Sequence, residues 1–108
     1  WEVDGWDVKA INAALKAAMA VEEGPAALVV RGTCVFNPDF ERRPVVAVDP
    51  ETCVACGQCF RVGCPAVLKS DENYPQTGKP KATVDPLLCT GCAVCLQVCP
   101  AKAIYETA

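Results

Sequence analysis

Eight cysteines stand in two runs of one pattern, and that pattern leaves few folds open. The first run is Cys53-Val-Ala-Cys56-Gly-Gln-Cys59-Phe-Arg-Val-Gly-Cys64-Pro65. The second is Cys89-Thr-Gly-Cys92-Ala-Val-Cys95-Leu-Gln-Val-Cys99-Pro100. A loop with a cysteine at every third position wraps three thiolates round three iron corners of one cubic cluster. The fourth corner needs a thiolate arriving from elsewhere, and a cysteine set apart before a proline supplies it. In a two-cluster protein that fourth cysteine serves the other cluster. The pattern therefore predicts two [4Fe–4S] clusters with crossed ligands. One sits on Cys53, Cys56, Cys59 and Cys99; the other sits on Cys89, Cys92, Cys95 and Cys64.

The other uses of cysteine fit less well. Structural zinc takes two Cys-x-x-Cys pairs per ion, whereas each tight group here has three cysteines and a fourth before Pro. The chain holds nine cysteines, so complete intrachain disulfide pairing fails on an odd count. Cysteines only three residues apart are also poorly placed to bridge without strain. The chain has no histidine. Rieske centres, His-ligated haem, Cys/His zinc fingers, catalytic triads and Cys–His dyads are thereby excluded.

The two runs are copies. Val48-Asp49-Pro50 precedes Cys53 as Val84-Asp85-Pro86 precedes Cys89, an offset of 36 residues. Gly63 is an extra residue in the first copy, after which Cys64-Pro65-Ala66 aligns with Cys99-Pro100-Ala101. A self-similar chain of this size suggests a pseudo-twofold domain. Each copy reads as strand, cysteine loop, one-turn helix and strand. The leading strands are 44–48 and 82–84, the helices 60–63 and 96–98, and the closing strands 66–68 and 103–105. Residues 69–81 are polar and rich in turn formers, and read as an exposed loop or hairpin. This is the bacterial-type ferredoxin pattern. Val54, Phe60, Val62, Val94, Leu96, Val98 and Ile104 are expected to wrap the clusters and exclude water. Gly57 and Gly91 are expected to let the backbone pass close to sulfur.

Residues 1–43 carry a different pattern. Residues 1–3 read as a strand, and Asp7 as the N-cap of a helix. Val8, Ile11, Leu15, Ala18 and Met19 recur on one helical face. Glu22-Glu23-Gly24-Pro25 stops that helix, and 26–30 reads as a strand apolar on both faces. Strand, helix, strand is a βαβ unit, and such a strand belongs in a parallel sheet covered on both sides. Two strands are not a stable sheet. The expected architecture is thus α+β: a βαβ segment, 1–43, from the end of a larger α/β domain, then a two-cluster ferredoxin domain, 44–108. The missing initiator Met agrees with a chain processed or cut from something longer. Cys34 is read as a buried thiol behaving as a small hydrophobe.

Charge and hydropathy exclude other classes. The net charge of −3 comes without a basic stripe, against nucleic-acid binding. No apolar run approaches the roughly 18 residues of a membrane span, and Trp1-Glu2-Val3-Asp4 does not resemble a signal peptide. Reduced thiolates and oxygen-labile clusters fit the cytoplasm.

The Gly63-Cys64-Pro65-Ala66 variation and the second run, with Gly24-Pro25-Ala-Ala-Leu-Val-Val-Arg31-x-x-Cys34 before them, resemble one family. It is the large subunit of indolepyruvate ferredoxin oxidoreductase, at the end of its thiamine-diphosphate domain and the ferredoxin module that follows. Asp4-Gly5-Trp6-Asp7 is weakly similar to thiamine-dependent enzymes of the transketolase type. The resemblance implies oxidative decarboxylation of an aryl 2-oxo acid with coenzyme A, electrons leaving through the clusters to an external ferredoxin. The Gly-Asp-Gly…Asn motif that holds the thiamine cofactor's magnesium is absent here. Thiamine diphosphate would therefore belong to the remainder of such an enzyme, and the partners would be that remainder or other subunits. The residues present carry no candidate general acid, base or nucleophile. The expected role is electron transfer. The rivals are a free-standing ferredoxin and a ferredoxin-type subunit of another redox complex.

Overall fold

The computed structural model describes residues 1–107. The chain divides into two compact units, Trp1–Phe40 and the stretch from Glu41 onward.

The first unit is a βαβ element. Strand β1 (Glu2–Asp4) and strand β2 (Val29–Arg31) run parallel, with Val3 beside Val30. Helix α1 (Val8–Met19) connects them. The Asp7 carboxylate accepts the Ala10 N–H at 3.0 Å and so caps the helix start. Trp6 fixes the far end of the unit. Its indole Nε1 donates to the Thr33 carbonyl at 2.9 Å, and its ring meets Phe40 edge-on with centroids 5.3 Å apart. Gly32 leaves room for that indole, since a Cβ there would stand 3.0 Å from Trp6 Nε1.

This unit buries little. Ala14 is its one fully buried apolar residue among those described. The helix turns Val8, Ile11, Ala14 and Ala18 inward, so the expected stripe is displaced. Leu15 is exposed and Met19 is 77% exposed. A two-stranded sheet is too narrow to cover a broad apolar face. The strand expected over 26–30 is also shorter and later, and all three of its residues are exposed.

The second unit is built from two antiparallel pairs. Strand β3 (Val46–Val48) pairs with β6 (Ile104–Glu106), and β4 (Val67–Asn73) with β5 (Pro80–Val84). A one-turn 3₁₀ helix, Cys59–Val62, and helix α2 (Val94–Val98) follow the two cysteine loops. The opening strand of each repeat therefore pairs with the closing strand of the other. The 69–81 segment is a hairpin: β4 runs on to Asn73, and Tyr74 N–H donates to the Lys79 carbonyl at 2.8 Å to close the turn.

The core repeats too. Its buried members are Val46 and Ala82, Cys59 and Cys95, and Val67 and Ile104, which form three pairs related by the repeat. Phe60 and Leu96 pack against them. The last pair shows where the sequence alignment slips. Asp49 N–H donates to the Ala103 carbonyl at 2.7 Å, and Asp85 N–H donates to the Ala66 carbonyl at 2.8 Å. Ala66 and Ala103 are each 1% exposed. Ala66 thus corresponds to Ala103, not to Ala101 as the Cys-Pro-Ala match implies. After Cys99 the chain makes a longer turn, with Lys102 at φ 55°. In the first copy Gly63, at φ 77°, spends the extra residue before the cysteine as the left-handed cap of the 3₁₀ helix. The result is an α+β fold whose second unit exchanges strands between its two repeats.

Candidate metal centre

Each cysteine loop begins on an aspartate turn. The Asp49 carboxylate accepts the Glu51 N–H at 3.0 Å and the Thr52 hydroxyl at 2.8 Å. Its carbonyl accepts the Cys53 N–H at 3.0 Å. The Thr52 hydroxyl and then the Glu51 N–H hold the Asp49 carboxyl below its usual value. In the second copy the Asp85 carboxylate accepts the Leu87 N–H at 2.9 Å, and its carbonyl accepts the Cys89 N–H at 3.1 Å. These local bonds fix the direction in which the first thiol of each loop leaves the strand.

Beyond the first thiol the backbone turns left-handed twice. Ala55 (φ 54°) and Gly57 (φ 77°) flank Cys56; Gly91 (φ 75°) and Ala93 (φ 62°) flank Cys92. The positions match at the 36-residue offset, with Ala and Gly exchanged. An alanine in this region costs about 1–2 kcal/mol, and such strain persists only where surrounding structure imposes it. Left-handed residues in a loop gather successive N–H groups into a concavity suited to negative charge, as thiolates and cluster sulfides require. The sequence singled out Gly57 and Gly91 but missed Ala55 and Ala93; comparing the two copies position by position identifies all four. Gly91 is needed for a reason other than sulfur. A Cβ there would fall on the Arg43 carbonyl oxygen, whose residue also donates its N–H to the Gly91 carbonyl at 3.3 Å.

The eight thiols fall into two groups. Burial pushes the Cys59 thiol above its ordinary value, and the nearby charges of Cys53, Cys56 and Cys99 add to the effect. Burial likewise pushes Cys95 up to about 11, with Cys92, Cys64 and Cys89 adding to it. The electrostatic neighbours of each buried cysteine are thus two from its own loop and one from the other repeat. Cys53, Cys56, Cys59 and Cys99 also line one small cavity of about 20 Å³, whose walls include Val48, Phe60, Ala82 and Ile104. Ala103 N–H donates to the Cys99 sulfur at 3.4 Å, the kind of bond that orients a thiolate ligand.

Among the described residues, no three His, Cys, Asp or Glu side chains are grouped to hold a single ion. One zinc ion with Zn–S bonds of about 2.3 Å would need sulfurs roughly 3.8 Å apart. A cubane carries its outer thiolates on four separate irons and spreads them wider. Four thiols are the donor set a [4Fe–4S] cluster takes, and the group of Cys53, Cys56, Cys59 and Cys99, beside apolar Val48, Phe60 and Ile104, fits one.

The rest of the expected surroundings is mixed. Phe60, Leu96 and Ile104 join the core, and Val94 and Val98 are half-buried. Val54 and Val62 are exposed, because the loop tip and the 3₁₀ helix turn them outward. Cys34 is exposed rather than buried, since the βαβ unit has little interior to receive it. No described helix is long and apolar enough to cross a membrane.

Residues 52–103 match the family described as a 4Fe-4S dicluster domain. No curated protein matches the chain. A dicluster domain of this kind indicates iron–sulfur electron transfer.

Proposed function

We propose that the chain is the electron-transfer module of a thiamine-dependent 2-oxoacid:ferredoxin oxidoreductase of the indolepyruvate type. Cys53, Cys56, Cys59 and Cys99 hold one [4Fe–4S] cluster, and Cys89, Cys92, Cys95 and Cys64 hold the second. The observation that carries the ligand assignment is the grouping of each buried cysteine with a thiol from the opposite repeat. The exchange of β-strands between the repeats supports it independently. When bound, such clusters supply one-electron transfer at potentials set by hydrogen bonds, charge and solvent exposure. The chain's own part is to exclude water with Phe60, Leu96 and Ile104 and to aim N–H groups at the thiolates.

The wider context rests on residues 1–40. A parallel strand pair whose second strand is exposed at every residue, with one crossover helix, is an incomplete sheet. The segment reads as part of a larger α/β body, and thiamine diphosphate would bind elsewhere in that body. An external ferredoxin would accept the electrons, in the cytoplasm. A second reading, a free-standing ferredoxin, is favoured by the unit from Glu41 onward, which holds its own core and all eight cysteines. The denatured mass of the native polypeptide, isolated without oxygen, separates the two. A chain several times heavier than 11.4 kDa supports the oxidoreductase; a chain of 11.4 kDa leaves the ferredoxin.

A further inference from the structure

The two aspartate turns are copies, yet among the described residues only the first takes a hydrogen bond from a half-buried lysine on β5. Lys81 lies on that strand beside Ala82, a wall of the Cys53/Cys56/Cys59/Cys99 cavity. Its side chain is 13% exposed. Its ammonium donates to the Pro50 carbonyl inside the Asp49–Cys53 turn, lies 4.0 Å from the Glu72 carboxylate, and helps lower the Asp49 carboxyl. At the matching position of the other repeat, 36 residues earlier, stands Val45, which carries no charge.

We propose that Lys81 is a positioning residue for the first cluster alone. Its hydrogen bond fixes the turn that presents Cys53, and its charge raises the potential at which that cluster accepts an electron. The inference rests on the two-cluster reading above. A lysine whose side chain is mostly covered, at 13% exposure, acts through a somewhat lower effective dielectric than a fully exposed one, so screening removes less of its field. Reduction adds negative charge to a cluster already surrounded by thiolates, and a fixed positive charge favours the reduced state. Glu72 opposes this from the other side and is 64% exposed, so its influence is weaker. The asymmetry makes the first cluster the more readily reduced of the two, as far as this contact goes.

The test is a redox titration of the full chain, purified without oxygen, following the electron paramagnetic resonance of each cluster separately. Cys56→Ser and Cys92→Ser assign the two signals. Lys81→Met keeps the alkyl stem and removes charge and donor; the first cluster should shift to lower potential while the second stays in place. Lys81→Arg should restore most of the shift. Glu72→Gln, at an exposed position with little risk to folding, should move the first cluster slightly the opposite way. If Lys81→Met shifts both clusters alike, or neither, the inference falls while the clusters stand. If Lys81→Met does not fold, Glu72→Gln decides: an upward shift confined to the first cluster supports the inference, and no shift, or equal shifts in both, overturns it. A chain without iron and sulfide would instead overturn the two-cluster reading itself.

Discussion

The two cysteine loops share a backbone and differ in what stands around them. The first opens on Glu51 and Thr52, takes the ammonium of Lys81 on its turn, and leaves Cys56 exposed. The second opens on Leu87 and Leu88, has the Arg43 backbone laid against Gly91, and holds Cys92 half-buried. Leu87 is 92% exposed, beside the turn that leads to Cys89. The repeat preserves what ligand geometry demands: the aspartate turn, the two left-handed residues, the three thiols and the partner strand. It is free to diverge in charge and cover, which are the quantities that set potential and access. On the proposed reading, two equal ligand sets in unequal surroundings would suit a path along which electrons move in order.

The most severe way to break the comparison is to remove a crossing ligand. Cys99→Ala should abolish the cluster of the Cys53 loop and leave the signal of the Cys89 loop; Cys64→Ala should do the reverse. Iron content with paramagnetic resonance of each variant checks this. Loss of the cluster in the variant's own repeat would show that the ligands do not cross.

The exchanged Ala and Gly positions give the next largest effect. Gly91→Ala meets both the Arg43 carbonyl and an unfavourable φ, and should cost roughly 2–5 kcal/mol. Ala55→Gly relieves a strained φ but deletes a buried methyl; the two effects oppose each other, and stability should change by less than about 1 kcal/mol. The guanidinium midpoint of cluster bleaching measures both.

Acid should separate the loops further. A thiol must give up its proton to bind iron, so protons compete with cluster retention. The thiol of Cys95, pushed up to about 11, holds its proton more tightly than an ordinary cysteine. Retention should therefore weaken as pH falls, and the cluster on the Cys95 set should be lost at the higher pH. An anaerobic acid titration, with the two signals resolved as above, gives the order; earlier loss from the Cys59 set would contradict it. The smallest effect is expected at Leu87→Ser, where a side chain in open solvent should leave stability within about 0.5 kcal/mol, as thermal bleaching would show.

Much of the site is legible in the sequence because thiolate geometry is a spacing rule: eight cysteines, the repeat and the α+β domain all follow from it. The crossed ligand sets proposed above follow from the same rule and await the Cys99 and Cys64 variants. The alignment of Ala66 with Ala101 misleads because a turn of different length after each proline restores strand register two residues later. The amphipathic stripe in α1 misleads at Leu15 and Met19 because periodicity reports a face, and only a full sheet would cover all of it. Lys81 and the Arg43–Gly91 contact are invisible to local pattern; each joins residues more than 30 positions apart.

Iron and acid-labile sulfide counted on the anaerobically purified protein, with spin quantitation after reduction, decide whether this chain holds two cubane clusters. Two clusters give about eight irons and eight sulfides per chain, four of each per cluster, and two spins that interact. Zinc in place of iron, or iron and sulfide sufficient for one cluster only, would contradict the two-cluster reading.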